Sequence, residues 1–134
     1  MVCTQCGHAT QVINSRLQKR ANSVWRRRRC LDCNAVFTTH EVADYTALWR
    51  VIGKNPAMKP FNRDKLLISL YKSLQHRPQA ISDAAGLTDT LIIRLTTKQR
   101  DGLINVSDIT QQASAMLDLF DTLASSHYRA FHKQ

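Results

Sequence analysis

"WRRRRCLDC", Trp25–Cys33, sets four consecutive arginines directly before a C-x-x-C pair. A second pair, Cys3 and Cys6, opens the chain in "MVCTQCGHAT", with 23 residues between the two pairs. Two such knuckles on a long loop are the spacing of a zinc ribbon. Each pair brings two thiolates to one ion, and the loop returns the second pair to complete a tetrahedron with Zn–S distances of about 2.3 Å. Gly7 follows Cys6, where a glycine eases the tight turn that points backbone N–H groups at sulfur. The expected ligands are Cys3, Cys6, Cys30 and Cys33, around one Zn²⁺ per chain. With four protein thiolates no position is left open for water or substrate, so the metal is structural rather than catalytic. His8 is expected to be an exposed bystander.

The N-terminal stretch has neither the basic start nor the apolar run of a signal peptide, and "LLISLY" and "TLIIRL" are too short to cross a bilayer. A cytoplasmic protein with no membrane association is expected, and in that reducing compartment paired cysteines point to metal before disulfides.

The arginines bear on function. Net charge is +9 overall, and residues 1–40 hold seven Lys/Arg against one acid. Four adjacent like charges weaken a small module that already lacks apolar cohesion, so an external polyanion is the natural partner. If Arg26 to Arg29 lie on a strand, two guanidiniums point each way, flanked by Arg16, Lys19 and Arg20. Trp25 suits either stacking on a base or packing inside the ribbon.

Residues 1–40 carry β-favouring runs ("TQVINS", "AVFTT") and few large apolar side chains, so metal replaces a core there. "HEVADYT" then connects to two β-like pieces, Leu48 to Ile52 and Met58 to Phe61, around a Lys-Asn-Pro-Ala turn. Helices are expected after it. The first is capped by Asn62, carries Leu67, Leu70, Tyr71 and Leu74, and stops before Pro78. The second spans Ser82 to Gln99, with Leu87, Leu91, Ile92 and Leu95 as its stripe. The third starts at Ser107 and places Ile109, Ala113, Met116, Leu117, Phe120, Leu123 and Ala124 on one face, with a break near Ser125-Ser126. The fold class is thus α+β: a small ribbon of short antiparallel strands over residues 1–45, then a mainly helical domain with a β-hairpin over 46–134.

The words "VINSRL", "RRRRC", "CLDCNAVFTTHE", "RVIGKNPAMKPFNRDKL", "HRP" and "HYRAF" together resemble one family, the bacterial NrdR-type transcriptional repressors of ribonucleotide reductase genes. The resemblance implies a zinc ribbon that binds double-stranded DNA, followed by an ATP-cone. That cone takes ATP or dATP as effector and controls homo-oligomerisation. It places Arg16, Arg26, Arg27 and Arg28 at DNA, and Val51 and Lys65 at the nucleotide. The chain departs from the family pattern at Gly53, where lysine is usual, at Asn55-Pro56, where Asp-Gly is usual, at Asn14, and in "FDTLASS", which replaces a Tyr-Ile-Arg-Phe segment.

Two regulators fit these residues: a nucleotide-responsive repressor, and a DNA-binding ribbon whose degenerate cone serves only for oligomerisation. An enzyme does not fit, since the chain has no P-loop, no open metal site and no nucleophile–base pairing.

Overall fold

The computed structural model describes residues 1–133 and divides into two compact units, residues 1–43 and the chain from Asp44 onward. The first is a three-stranded antiparallel sheet in the order β1-β2-β3, built from Thr10–Gln18, Ser23–Cys30 and Val36–Val42. These strands are longer than the short runs expected. The arginine run lies on the central strand, β2, and a register shift between Val12 and Asn14 leaves Ile13 as a bulge on β1.

Both knuckles share a geometric device. The residue after the second cysteine has a positive φ in each: Gly7 at 76° and Asn34 at 60°. Glycine takes that conformation freely, and asparagine is among the side chains that tolerate it best. In the first knuckle the Gly7 N–H then reaches the Cys3 carbonyl at 3.0 Å, and the Cys3 N–H reaches the His8 carbonyl at 2.8 Å. In the second, the Cys30 N–H donates to the Ala35 carbonyl at 2.9 Å. Within residues 1–43 the buried residues are Cys3, Ser23 and Cys30. There is no apolar core under this sheet, so something else must hold it together.

The second unit opens with a single helical turn, α1 (Tyr45–Leu48), capped by Asp44, whose side chain accepts from the Thr46 N–H at 3.0 Å. A small mixed sheet follows in the order β5-β4-β6, from Arg50–Ile52 (β4), Lys59–Pro60 (β5) and Leu103–Asn105 (β6). The β4–β5 pair is the expected hairpin. Strand β6 is an addition that runs parallel to β4, pairing Val51 with Ile104. Three residues are too few to show an alternation, and β6 exists because Ile104, 2% exposed, is drawn into the core.

Four helices complete the unit: α2 (Arg63–Leu74), α3 (Ala80–Thr96), α4 (Val106–Phe120) and α5 (Thr122–Phe131). Asn62 caps α2 through its side chain, which accepts from the Lys65 N–H at 2.8 Å. The core gathers Leu70, Leu74, Leu91, Leu95, Leu117 and Tyr128 beneath Trp49 and Phe61.

Three sequence expectations shift. Helix α3 begins at Ala80, not Ser82. Ser107 lies inside the first turn of α4, where Asn105 holds the cap position. The long third helix breaks at Asp121 and not at Ser125-Ser126, because Asp121 takes an extended φ of −160° and its side chain accepts from the Ala124 N–H at 3.0 Å, starting α5. The break turns Phe120 and Leu123 outward, so they leave the buried face on which periodicity had placed them.

Candidate metal centre, basic face and ligand pocket

The strand ends bring the four cysteine sulfurs within 4.8 Å of one another. Cys3 Sγ lies 3.7 Å from Cys33 Sγ, and Cys6 Sγ lies 3.5 Å from Cys30 Sγ. A tetrahedron with Zn–S distances of about 2.3 Å has edges of about 3.8 Å, so the donor set fits Zn²⁺. Backbone groups are already aimed at sulfur. The Gln5 N–H donates to Cys3 Sγ at 3.4 Å, and the Asp32 and Cys33 N–H groups each donate to Cys30 Sγ at 3.4 Å. Such bonds favour the thiolate, which is the form that binds metal. The Cys3 thiol is pulled down to about 6, first by the Cys6 backbone N–H and then by that of Gln5. Cys6 moves the other way, to about 12. The His8 backbone favours its thiolate, but burial and the neighbouring sulfurs oppose a second negative charge in the cluster. A divalent cation would relieve that opposition. His8 is exposed and stands 3.6 Å from Asp32, beside the cluster.

Strand alternation divides the arginines. Positions paired across an antiparallel sheet share a face. Trp25 stands opposite Arg16 and His40, Arg27 opposite Asn14 and Thr38, and Arg29 opposite Gln11 and Val36. One face therefore collects Arg16, Arg27 and Arg29 around the half-buried Trp25, with the Arg16 guanidinium 5.8 Å from the indole centroid. No Asp or Glu occupies a paired position on it. Arg26 and Arg28 point to the opposite face. There Arg26 is ion-paired with Glu41, and Arg28 Nε donates to Thr39 Oγ1 at 3.3 Å. The structure thus brings Arg16 and Arg27 together and separates them from Arg26 and Arg28. Arg29, absent from the sequence-derived set, joins the exposed group, and counting by two from Arg27 would have found it.

Val51 and Lys65 meet at a cavity of about 420 Å³ in the second unit. It lies between the small sheet, the N-terminal half of α2, α4 and the end of α5. Lys54 and Lys59 join Lys65 on its wall, no carboxylate among the described residues lines it, and Phe61, Leu66 and Ile109 give it apolar sides. Gly53 also lines it. A Cβ there would make only ordinary contact, 3.6 Å from Val106 Cγ2, so the backbone at this position does not require glycine. At the far end Ser69 Oγ lies 2.8 Å from His132 Nε2. Sequence reasoning did not find Lys59, Ser69 or His132, because they come from segments up to 73 positions apart that no local period connects. Among the described residues no helix is long and apolar enough to cross a membrane.

Comparison with known proteins agrees with the four-cysteine ribbon. The family described as "Transcriptional repressor NrdR-like, N-terminal domain", a zinc ribbon, matches residues 1–41. A curated relative, the Transcriptional repressor NrdR of Akkermansia muciniphila, is 33% identical over 137 residues, which cover 100% of this chain and 82% of the relative.

Proposed function

Because this chain belongs to the NrdR family of transcriptional repressors, we propose that its ribbon binds double-stranded DNA and that its helical unit makes this binding respond to a nucleotide. The family consists of repressors and not enzymes, and the donor set of the ribbon agrees, since four cysteines leave no coordination position for chemistry. Cys3, Cys6, Cys30 and Cys33 hold one Zn²⁺, which supplies the cohesion that the missing apolar core does not. The regulated genes are those of ribonucleotide reductase, and the protein works in the cytoplasm.

The observation that carries DNA binding is the carboxylate-free face of Arg16, Arg27 and Arg29 around Trp25. A sheet face whose three guanidiniums stand opposite no carboxylate suits a row of phosphates, and each neutralised phosphate contributes about 0.9 to the salt slope on duplex DNA. Arg26 and Arg28 act behind it, shaping the strand through Glu41 and Thr39.

The second unit acts as an ATP-cone, with ATP or dATP seated in the cavity lined by Val51 and Lys65 and their phosphates on Lys54, Lys59 and Lys65. Nucleotide then sets the homo-oligomer that grips DNA. Gly53 favours a second reading, in which the unit serves only for oligomerisation. The test is titration of purified protein with ATP and dATP, followed by sizing and duplex binding of each form. Heats of binding with a change of assembly support the responsive repressor; none with either nucleotide leaves the second reading.

A further inference from the structure

The bulge on β1 decides which side chain joins the basic face. Val12 stands opposite Arg28 and Asn14 opposite Arg27, with Ile13 left over between them. In unbroken register Ile13 would face Arg27, and Asn14 and Arg16 would pass to the side of Arg26 and Arg28. The shift instead sets a carboxamide among the arginines, with Arg27 across from it, Arg16 two positions on and Arg29 on the diagonal. We propose that Asn14 reads an adenine at its major-groove edge and is a specificity-determining residue of the ribbon. The inference rests on the DNA reading of this face.

Asn14 is exposed, and among the described residues its side chain makes no hydrogen bond. A carboxamide offers an acceptor and an NH₂ donor side by side. Adenine presents the complement in the major groove, its N6 amino donor beside the N7 acceptor, so the two groups meet through a pair of hydrogen bonds. Guanine has an acceptor, O6, where adenine has that donor, and it cannot complete the pair. Side-chain length fits the same docking. In the order β1-β2-β3 the first strand is an edge, and the β1–β2 pair is a two-stranded margin of the kind that the major groove, about 12 Å wide, admits. A short amide on the strand seated in the groove touches base edges, while the longer arginines around it reach out to phosphates. Two other carboxamides share this face. The Gln18 Oε1 is engaged, accepting from Ser23 Oγ at 3.1 Å, and Gln11 stands at the knuckle end, opposite Arg29.

The experiment is selection of duplexes with a randomised core by the full, zinc-loaded chain, without nucleotide and with ATP or dATP. Fluorescence anisotropy on the selected duplex and its single-base-pair variants follows, with the zinc content of each protein variant measured as a check on the ribbon. One adenine of that duplex should be read by wild type: any other base there should weaken binding about 5- to 150-fold. Replacing it with 7-deazaadenine, which keeps the pairing face but lacks N7, should weaken binding about 3- to 10-fold. Asn14→Ala should bind all four base pairs at that position within about twofold and lose the 7-deazaadenine effect. Asn14→Asp, which can only accept, should favour cytosine there. Gln11→Ala and Arg27→Ala should keep the adenine preference, the second while weakening every duplex. An adenine preference that survives Asn14→Ala, one that is insensitive to 7-deazaadenine, or wild type that binds the random pool without preference overturns base reading by Asn14 and leaves phosphate binding standing. Failure of wild type to bind any duplex overturns both.

Discussion

Arg26 and Glu41 form an ion pair between β2 and β3, and Arg27, next in the chain, stands on the opposite face among Arg16, Trp25 and Arg29. Four arginines that read as one basic run are two pairs on opposite faces of the sheet. Replacing Arg27 and Arg29 together with Ala should make the slope of log K against log salt shallower by about two. Arg26→Ala should change that slope much less. Filter binding on one duplex across a salt series decides it, and equal losses for the two variants would refute the division of faces.

The zinc centre should hold about one metal ion per chain, since one set of four sulfurs converges. Cys30→Ser removes a fully buried ligand that also accepts two backbone N–H groups. The ribbon should then unfold while the helical unit, with its own core, keeps its helical circular dichroism signal. Metal analysis finding no zinc in protein purified without chelators would remove the centre.

Lys65 is expected to contact phosphate at the start of α2, where the helix N-terminus also favours an anion. A charge-assisted hydrogen bond implies that Lys65→Ala raises the Kd for ATP by about 10- to 150-fold. The fold should survive, because the Asn62 cap bonds the Lys65 backbone and not its side chain. Equal Kd values for the two proteins would show that the lysine only faces solvent.

Asp121 joins α4 to α5 and anchors the end of α2. Its carboxylate is bonded to the Ala124 N–H, His76 and Arg77, and these partners, in that order, hold its pKa well below the usual range. A depressed folded pKa means stability that is present above the unfolded value of about 3.9 and is lost as pH falls below it. Asp121→Asn keeps a capping oxygen but loses the charge. Its melting temperature should fall at pH 7, and the gap to wild type should narrow between about pH 4 and pH 2. A gap that stays constant over that range would contradict the linkage.

Gly102 has a φ of 74°, and a Cβ there would lie 2.5 Å from the Leu48 carbonyl oxygen. Its own carbonyl accepts from the Arg50 N–H at 2.7 Å, where β6 meets β4. Gly102→Ala should destabilise the second unit by about 1–3 kcal/mol, read as a lower urea midpoint. An unchanged midpoint would mean that the loop yields without strain.

The sequence by itself determined what depends on neighbours in the chain. C-x-x-C spacing marked the sulfurs, a three-to-four repeat of apolar residues marked the helices, and the asparagine before "RDKL" marked the start of α2. Each of these is a local geometric condition, satisfied within a turn or a knuckle. Only the tertiary structure decided which arginines stay unpaired, because Glu41 reaches Arg26 from a third strand 15 residues away. It also decided that Leu103–Asn105 is a strand, through parallel pairing with β4, 53 positions earlier. Asp121, whose cap on the Ala124 N–H breaks the long third helix, is also engaged by His76 and Arg77, just beyond α2. The cavity joins Val51, Lys65, Ser69 and His132 for the same reason. Burial and charge pairing act between surfaces that meet only after folding, and no repeat along the chain encodes which surfaces those are.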